Sequence, residues 1–453
     1  MGHKRPIFQH ITPELLKEYP VVLSTTFSSR SNFRAETLFD YVIMDEASQV
    51  SSETGALALM CARNAVIVGD SMQLPNVITD ADRLRMQAIA AKHTIDSRYD
   101  CAVLSFLESV CRVFPEAPQT LLREHYRCHP KIINFCNQRF YGGRLLIMTE
   151  DHGEPDVITA WRTAPGHHAR GPFNPREIET IRREVLPSLP CEQAEIGIIS
   201  PYNEQVNALH RELGGGIDVA TVHKFQGREK EAIILSTVDD QITAFTDDPN
   251  LLNVAVSRAK RQFTLVTSSN EQSDSRNIAD LLAYIDYNGG KITESAIHSV
   301  FDLLYEPYAE ARREFLKRHR RISEFDSENL TYALLERVLE TDPAFRHLGV
   351  LCHQPLRQLI RDWMLLNDEE RRYASNGATH LDFLIYNRVS KRPVLAVKTD
   401  GYRFHKQGTR QSERDRMKDR ILDRYGLPLL RLSTTGTDEE AKIHTQLTKL
   451  LQR

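Results

Sequence analysis

Tyr41-Val42-Ile43-Met44-Asp45-Glu46-Ala47-Ser48-Gln49 and, further along, Ala65-Val66-Ile67-Val68-Gly69-Asp70-Ser71-Met72-Gln73-Leu74-Pro75 decide the fold. Each string opens on a short apolar run and closes on polar residues. Runs so short and unbroken read as strands buried on both faces, the usual state of parallel strands covered by helices. An acidic pair and an Asp/Gln loop then fall at the carboxyl ends of neighbouring strands, where open α/β sheets bind nucleotides. One carboxylate there can hold Mg²⁺ and another can polarise a water beside a γ-phosphate.

The rest of the chain bounds that reading. Its 453 residues suffice for about three domains at roughly 150 residues each. With 58 Lys and Arg against 61 Asp and Glu the net charge is −3, so a nucleic-acid surface has to be a local groove. Cysteines 61, 101, 111, 128, 136, 191 and 352 form no C-x-x-C pair and no paired framework, which reads as free thiols in a reducing cytosol. No apolar run approaches membrane-spanning length and Met1-Gly2-His3-Lys4 opens no signal peptide. A cytoplasmic protein with no membrane partner is expected.

Four units follow from the patterning. Residues 1–118 hold three strand candidates, at 21–23, 41–44 and 65–68. Residues 119–270 hold five more, at 157–158, 196–199, 219–222, 233–235 and 263–266. Strand–helix alternation in both stretches predicts parallel sheets. Residues 271–322 read as a helical linker, with Phe301, Leu304, Tyr305, Tyr308, Ala311 and Phe315 at helix spacing. The linker ends in a basic cluster, Arg312, Arg313, Lys317, Arg318, Arg320 and Arg321. Residues 323–453 change character. They read as a helix at 330–339, strands at 348–352, 381–386, 394–397 and 429–432, a charged helix at 411–425 and a last helix carrying Ile443, Leu447 and Leu450.

Four further patches carry chemistry: Tyr126-Arg127-Cys128-His129-Pro130, Ser200-Pro201-Tyr202-Asn203-Glu204-Gln205, His223-Lys224-Phe225-Gln226-Gly227-Arg228-Glu229, and Asn253-Val254-Ala255-Val256-Ser257-Arg258-Ala259-Lys260. Phosphoryl transfer needs a metal, an oriented water and cations on the developing charge. Asp45 suits the metal through water, since Mg²⁺ keeps several waters. Glu46 suits the attacking water. Arg127 and Arg258 can reach the γ-phosphate from a second domain, a planar guanidinium being suited to phosphate. Gln73 can report the γ-phosphate to moving parts.

In this order the patches resemble motifs II to VI of superfamily 1 helicases of the up-frameshift group, over roughly residues 15–270. The resemblance implies two RecA-like domains, ATP and Mg²⁺ in the cleft between them, and single-stranded nucleic acid across the top. It implies that Arg127 and Arg258 act as arginine fingers. It also sets Asp70, Gln226, Gly227 and Glu229 along the nucleotide, Glu229 near its sugar. The phosphate cradle of that family, Gly-x-x-x-x-Gly-Lys-Ser/Thr, is absent from the sequence. The nearest string, Gly289-Gly290-Lys291-Ile292-Thr293, has Ile285 where the first Gly belongs and lies after motif VI. The expectation is a helicase truncated before motif II, with an incomplete first sheet. It would bind ATP poorly alone, and a partner would supply or complete the P-loop.

Near the carboxyl end, Asp382 interrupts an apolar strand, and Lys398-Thr399-Asp400-Gly401 close the next, with His405 beyond. Carboxylates on adjacent strands can converge on one metal for phosphodiester cleavage. With Glu328 and Glu336 on a preceding helix, residues 323–435 resemble PD-(D/E)XK nucleases, closest to the very-short-patch-repair branch. The resemblance makes Asp382 a metal ligand, with Thr399 through its carbonyl or Asp400 as the second, and gives His405 a leaving-group or phosphate role. Lys398 departs from the pattern, standing where a Glu is typical, and a cation there opposes Mg²⁺.

The expected fold class is α/β: RecA-like parallel sheets, the first incomplete, plus a small α/β PD-(D/E)XK-type domain. The expected function is part of an ATP-dependent helicase fused to a metal-dependent nuclease, acting on single-stranded or duplex DNA in repair or defence. The alternatives are an inactive nucleic-acid-binding remnant and an RNA helicase.

Overall fold

The computed structural model describes residues 13–32, 37–272, 275–401 and 410–452. The two opening runs form strands β1 (Phe39–Met44) and β2 (Ala62–Ile67), paired in parallel with Ile43 against Val66 and Met44 against Ile67. The ladder continues past both strands: the Val68 amide donates to the Met44 carbonyl at 2.8 Å, and the Ala47 amide donates to the Val68 carbonyl at 2.9 Å. The two polar strings are thus laid side by side. Gly69 sits at the contact, where a Cβ would lie 3.1 Å from the Ala47 nitrogen. One face of the pair is packed by Ala58 and Phe106 against Met44 and Ala47, while Tyr41, Ile43 and Val66 on the other face are exposed.

The third expected strand, Val21-Val22-Leu23, does not form. These residues belong to no helix or strand, and Val21 and Leu23 are 78% and 92% exposed. A strand needs a neighbour for its backbone groups, and the described residues pair none with it.

Strands β3 (Glu124–His125) and β4 (Leu146–Ile147) lead into a six-stranded, wholly parallel sheet. Its members are β5 (Ile158–Thr163), β6 (Ile196–Ser200), β7 (Asp218–Thr221), β8 (Lys230–Ser236), β9 (Ala259–Ser268) and β10 (Ile292–Glu294), in the order β10-β5-β9-β8-β6-β7. Alternate side chains fill two cores, Ile199, Ile233, Leu235, Phe263 and Leu265 on one face and Ile198, Ile234 and Val266 on the other. All five expected strands of this unit lie here, with Val222 instead starting the short Val222–Phe225 helix.

The linker departs from a continuous helix. Gly289-Gly290 follow the Asn277–Tyr287 helix, β10 joins the sheet edge, and only Ala309–Arg318 is α-helical among the residues at helix spacing. Residues 300–304 and 306–308 are separate 3-10 turns, because Pro307 has no amide to donate and fixes its own φ. The linker is stitched on both sides. Arg176 donates to both carboxylate oxygens of Asp302, at 2.8 and 3.1 Å, and to the Ile297 carbonyl at 3.0 Å, all in the interior. Phe301 is fully buried in the core of the next unit, and the Ser299 hydroxyl donates to Glu439 at 3.0 Å.

The last unit is a four-stranded sheet in the order β11 (Leu348–Pro355), β12 (His380–Asn387), β13 (Pro393–Asp400), β14 (Leu429–Ser433). The first three strands are antiparallel and β14 runs parallel to β13. The Asp326–Thr341 and Glu439–Leu451 helices cover one face, through Leu335, Val338, Ile443 and Leu447. The Arg410–Arg424 helix covers the other, through Met417, Ile421 and Leu422. Among the described residues no helix is long and apolar enough to cross a membrane.

Candidate nucleotide cleft and carboxylate cluster

Asp45 and Glu46 stand at the open end of β1. The Glu46 amide donates to Asp45 Oδ1 at 2.9 Å, and Glu46 itself has φ +51, a strained conformation for a side-chain-bearing residue. The neighbouring string is clasped to the second unit. Tyr141 donates to Asp70 Oδ2 at 2.6 Å, and Asn253 Nδ2 donates to the Tyr141 oxygen and to the Met72 carbonyl, both at 2.8 Å. Gln226 Nε2 donates to Gln73 Oε1 at 3.3 Å. Gly227, next to Gln226, takes φ +79, a turn that suits glycine.

Two expected nucleotide contacts are otherwise engaged. Asp70 accepts from the Met72 amide at 2.9 Å as well as from Tyr141 and Gln73, so its carboxylate ties the two units together. Glu229 accepts Arg127 at 2.6 Å and Lys260 at 2.8 Å, being the nearest anion to two cations. These three residues line a cavity of about 590 Å³ with Glu124, His125 and Tyr126. His125 is held neutral there: burial pushes its imidazole down to about 4, and Arg127 and Arg258 add to the effect.

Arg258 differs from Arg127. It is only 4% exposed, and no carboxylate pairs with it among the described residues. Its contacts are long ones, Nε to the Val254 carbonyl at 3.3 Å and Nη2 to Ser257 at 3.5 Å. Burial and the Arg127 charge lower its pKa, while Cys128 and Glu46 oppose them. A buried guanidinium without a counter-ion carries an uncompensated desolvation cost.

His129, Asp151 and Glu154 also converge, with the ring nitrogen 3.4 and 3.3 Å from the two carboxylates. A metal does not suit this group. His129 Nδ1 accepts the Lys131 amide at 3.1 Å, which assigns the proton of the neutral ring to Nε2, and Lys131 Nζ lies 3.4 Å from Asp151. The cluster caps the Pro130–Phe140 helix and fixes the Arg127 segment.

In the last unit Asp382 lies on β12 and accepts the Thr399 amide at 3.2 Å. Burial raises its carboxyl above the ordinary range, and Lys418 pulls the other way. Glu328, which the sequence reading noted without making it a ligand, presents a buried Oε2 with no hydrogen-bond partner, 3.7 Å from His353 Nε2. His353 stands across from Asp382 in the β11–β12 register and has φ +52. Asp400, the alternative second ligand, is engaged within the fold. It is buried against Arg431 at 2.9 Å and Lys398 at 3.1 Å, because β14 brings Arg431 alongside. Lys398 also holds Asp415 at 2.7 Å, so its charge is compensated within the fold. His405 lies outside the described residues.

Comparisons with known proteins agree with the first two units. One family described as an AAA domain matches residues 4–81, a second AAA domain family matches 103–270, and a protein family of unknown function, DUF2726, matches 325–450. An uncharacterised ATP-dependent helicase of Methanocaldococcus jannaschii is 27% identical over 292 residues, covering 58% of this chain and 41% of that protein. The DNA replication ATP-dependent helicase/nuclease of Gallus gallus is 28% identical over 274 residues, covering 56% of this chain and 25% of that protein. The DNA polymerase alpha-associated DNA helicase A of Saccharomyces cerevisiae is 28% identical over 287 residues, covering 54% and 40%. The chain thus spans well under half the length of these relatives. Its first two units are related to ATP-dependent superfamily 1 helicases.

Proposed function

We propose that the first two units form the γ-phosphate-sensing part of an ATP-driven helicase motor working on DNA, and that the last unit is a metal-dependent phosphodiesterase of the PD-(D/E)XK kind, in repair or defence. The observation that carries the motor reading is Arg258, buried without a carboxylate partner within electrostatic reach of Glu46 and Arg127. Mg²⁺·ATP fits this donor set, since Asp45 and Glu46 offer carboxylates at a strand end and the arginines offer cations opposite them. When bound, Mg²⁺ supplies charge neutralisation at the phosphates. Asp45 and Glu46 would hold it and the water. Gln73 passes the state of that site to Gln226, and Arg127 exchanges Glu229 for phosphate.

A phosphate cradle is proposed to come from outside these 453 residues. The purified chain is therefore expected to show no appreciable ATP hydrolysis, with or without DNA. Clear DNA-stimulated turnover by the chain alone would overturn this part.

For the last unit, the unpartnered Glu328 oxygen beside Asp382 supports a divalent cation held by Glu328, Asp382 and the Thr399 backbone. Cleavage of single- and double-stranded DNA with Mg²⁺ or Mn²⁺ tests it. Wild type is expected to cut and Asp382→Ala to be silent; equal cutting by both would refute the site. The ion pairs of Lys398 favour a second reading, a unit that grips DNA without cutting it. It predicts that wild type is inert and that Lys398→Glu gains cutting.

A further inference from the structure

Arg313, Lys317, Arg318, Arg320 and Arg321 form an exposed cationic strip along and just beyond the Ala309–Arg318 helix. Among the described residues only Lys317 has an acidic partner, Glu314 at 2.8 Å. Arg312 is turned inward, to the Leu303 and Leu304 carbonyls and to Asp326. A cationic helix is ordinarily a solvated face. Here the same helix also roofs a groove.

The Phe315 ring lies stacked on His319, with centroids 4.2 Å apart and planes at 21°. Both line a cavity of about 560 Å³ floored by Leu303 and Leu334, with Arg318, Arg337 and the Glu314 carboxylate, itself paired with Lys317, among its walls. Past Phe315 and Arg337 lies a second cavity of about 720 Å³ under the Glu439–Leu451 helix, whose wall carries Asp438, Glu439 and Glu440 and so marks the end of the cationic groove. Arg337 is itself paired with Glu440 at 2.5 Å. At the other end Arg320 lies within electrostatic reach of Cys352 on β11. Burial pushes the thiol of Cys352, the residue before His353, up to about 11, and the Arg320 charge opposes that rise.

Unneutralised cations along a line, over a slot with a flat aromatic wall, match one ligand chemistry: phosphodiesters spaced along a strand whose bases are free to stack. An acidic protein would answer the cations and leave the slot unexplained. A duplex has its bases already stacked. We propose that the strip and the Phe315 groove bind single-stranded nucleic acid, phosphates on Arg313, Arg318, Arg320 and Arg321 and a base against Phe315. This deepens the reading of the chain as a nucleic-acid enzyme and depends on it.

Fluorescence anisotropy of the full chain tests it, with fluorescein-labelled oligo-dT, oligo-rU and a duplex of equal length, from about 50 to about 300 mM NaCl. The compared proteins are wild type, the quadruple variant Arg313→Ser/Arg318→Ser/Arg320→Ser/Arg321→Ser, and Phe315→Leu, which keeps an apolar side chain but removes the ring. Four lost phosphate contacts should flatten the log–log salt dependence for single strands by about 3 and weaken binding at least tenfold. Phe315→Leu should weaken it roughly tenfold with the slope unchanged. The dT and rU arms tell DNA from RNA. Tight wild-type binding with the same slope in the quadruple variant overturns the strip alone. Preference for the duplex, or unchanged affinity in Phe315→Leu, overturns the groove. Wild type binding no nucleic acid removes both this proposal and the functional reading beneath it.

Discussion

Arg258→Met should make the nucleotide-free protein more stable. Arg258 is 4% exposed, lacks a carboxylate partner among the described residues, and holds its place through two long hydrogen bonds of 3.3 and 3.5 Å. Replacing a buried charge by an apolar side chain of similar length stabilises by about 1–4 kcal/mol, and the two weak bonds return about 0.5 kcal/mol each. The net gain is up to about 3 kcal/mol, or a rise of up to roughly 9 °C in the melting midpoint of a unit this size. Arg127→Met is the control: Arg127 is 40% exposed on its pair with Glu229, and such a pair contributes about 1 kcal/mol or less. Differential scanning calorimetry and urea titration without nucleotide read both variants. A lowered midpoint for Arg258→Met would refute the reasoning, because the guanidinium would then be supporting the fold. So would an equal rise in Arg127→Met. A group that destabilises the empty protein and is kept for its ligand shows the usual trade between stability and function.

Other outcomes follow from single contacts. Tyr141→Phe removes the hydroxyl that donates to Asp70 and accepts from Asn253, and leaving half-buried Asp70 and buried Asn253 short of a bond should cost about 1–3 kcal/mol by urea titration. Glu177 is buried, and burial raises its carboxyl to about 8 even though Ser236, Val238 and Thr237 donate to it. In the unfolded chain it ionises near about 4.3. The folded protein therefore binds the extra proton, and stability present below about pH 4 declines as pH rises through about 8. Glu177→Gln should flatten that decline in thermal melts between about pH 5 and 8; an unchanged profile would show that the carboxyl is ionised in the fold. Lys398→Glu breaks the buried pairs with Asp400 and Asp415 and should destabilise by about 3 kcal/mol in metal-free buffer. Added Mn²⁺ should then raise its melting midpoint more than that of wild type, and no difference would count against a cation site beside Asp382.

The parts of this fold that were legible beforehand depend on neighbours close in sequence or on strict patterning. Short apolar runs ending in polar strings announced β1, β2 and five of the six strands of the large sheet, β10 being the exception, and they placed Asp45 and Glu46 at a strand end. The misses are long-range. Nothing near Tyr141 marks it as the link between Asp70 and Asn253, which lie in other units. Asp400 looked like a ligand because the residue that neutralises it, Arg431, arrives on a later strand. Residues 301–315 carry helical spacing, but Phe301 is buried in the core of the last unit from a 3-10 turn, and Pro307 interrupts the run. Val21-Val22-Leu23 has strand composition without a strand beside it. Glu328 was visible as an acidic helix residue, whereas its unpartnered oxygen required the packed sheet.

The Arg176–Asp302 pair has a mechanical consequence. Separating a buried ion pair costs about 3–5 kcal/mol, far above thermal energy, so the joint it closes does not flex in ordinary fluctuations. With β10 sewn into the large sheet on one side and Phe301 embedded on the other, the second and last units form a single lever arm. The contacts that join it to the first unit, Tyr141–Asp70 and Gln226–Gln73, are half-buried side-chain hydrogen bonds rather than buried ion pairs. Any movement between the first and second units would therefore carry the last unit with it.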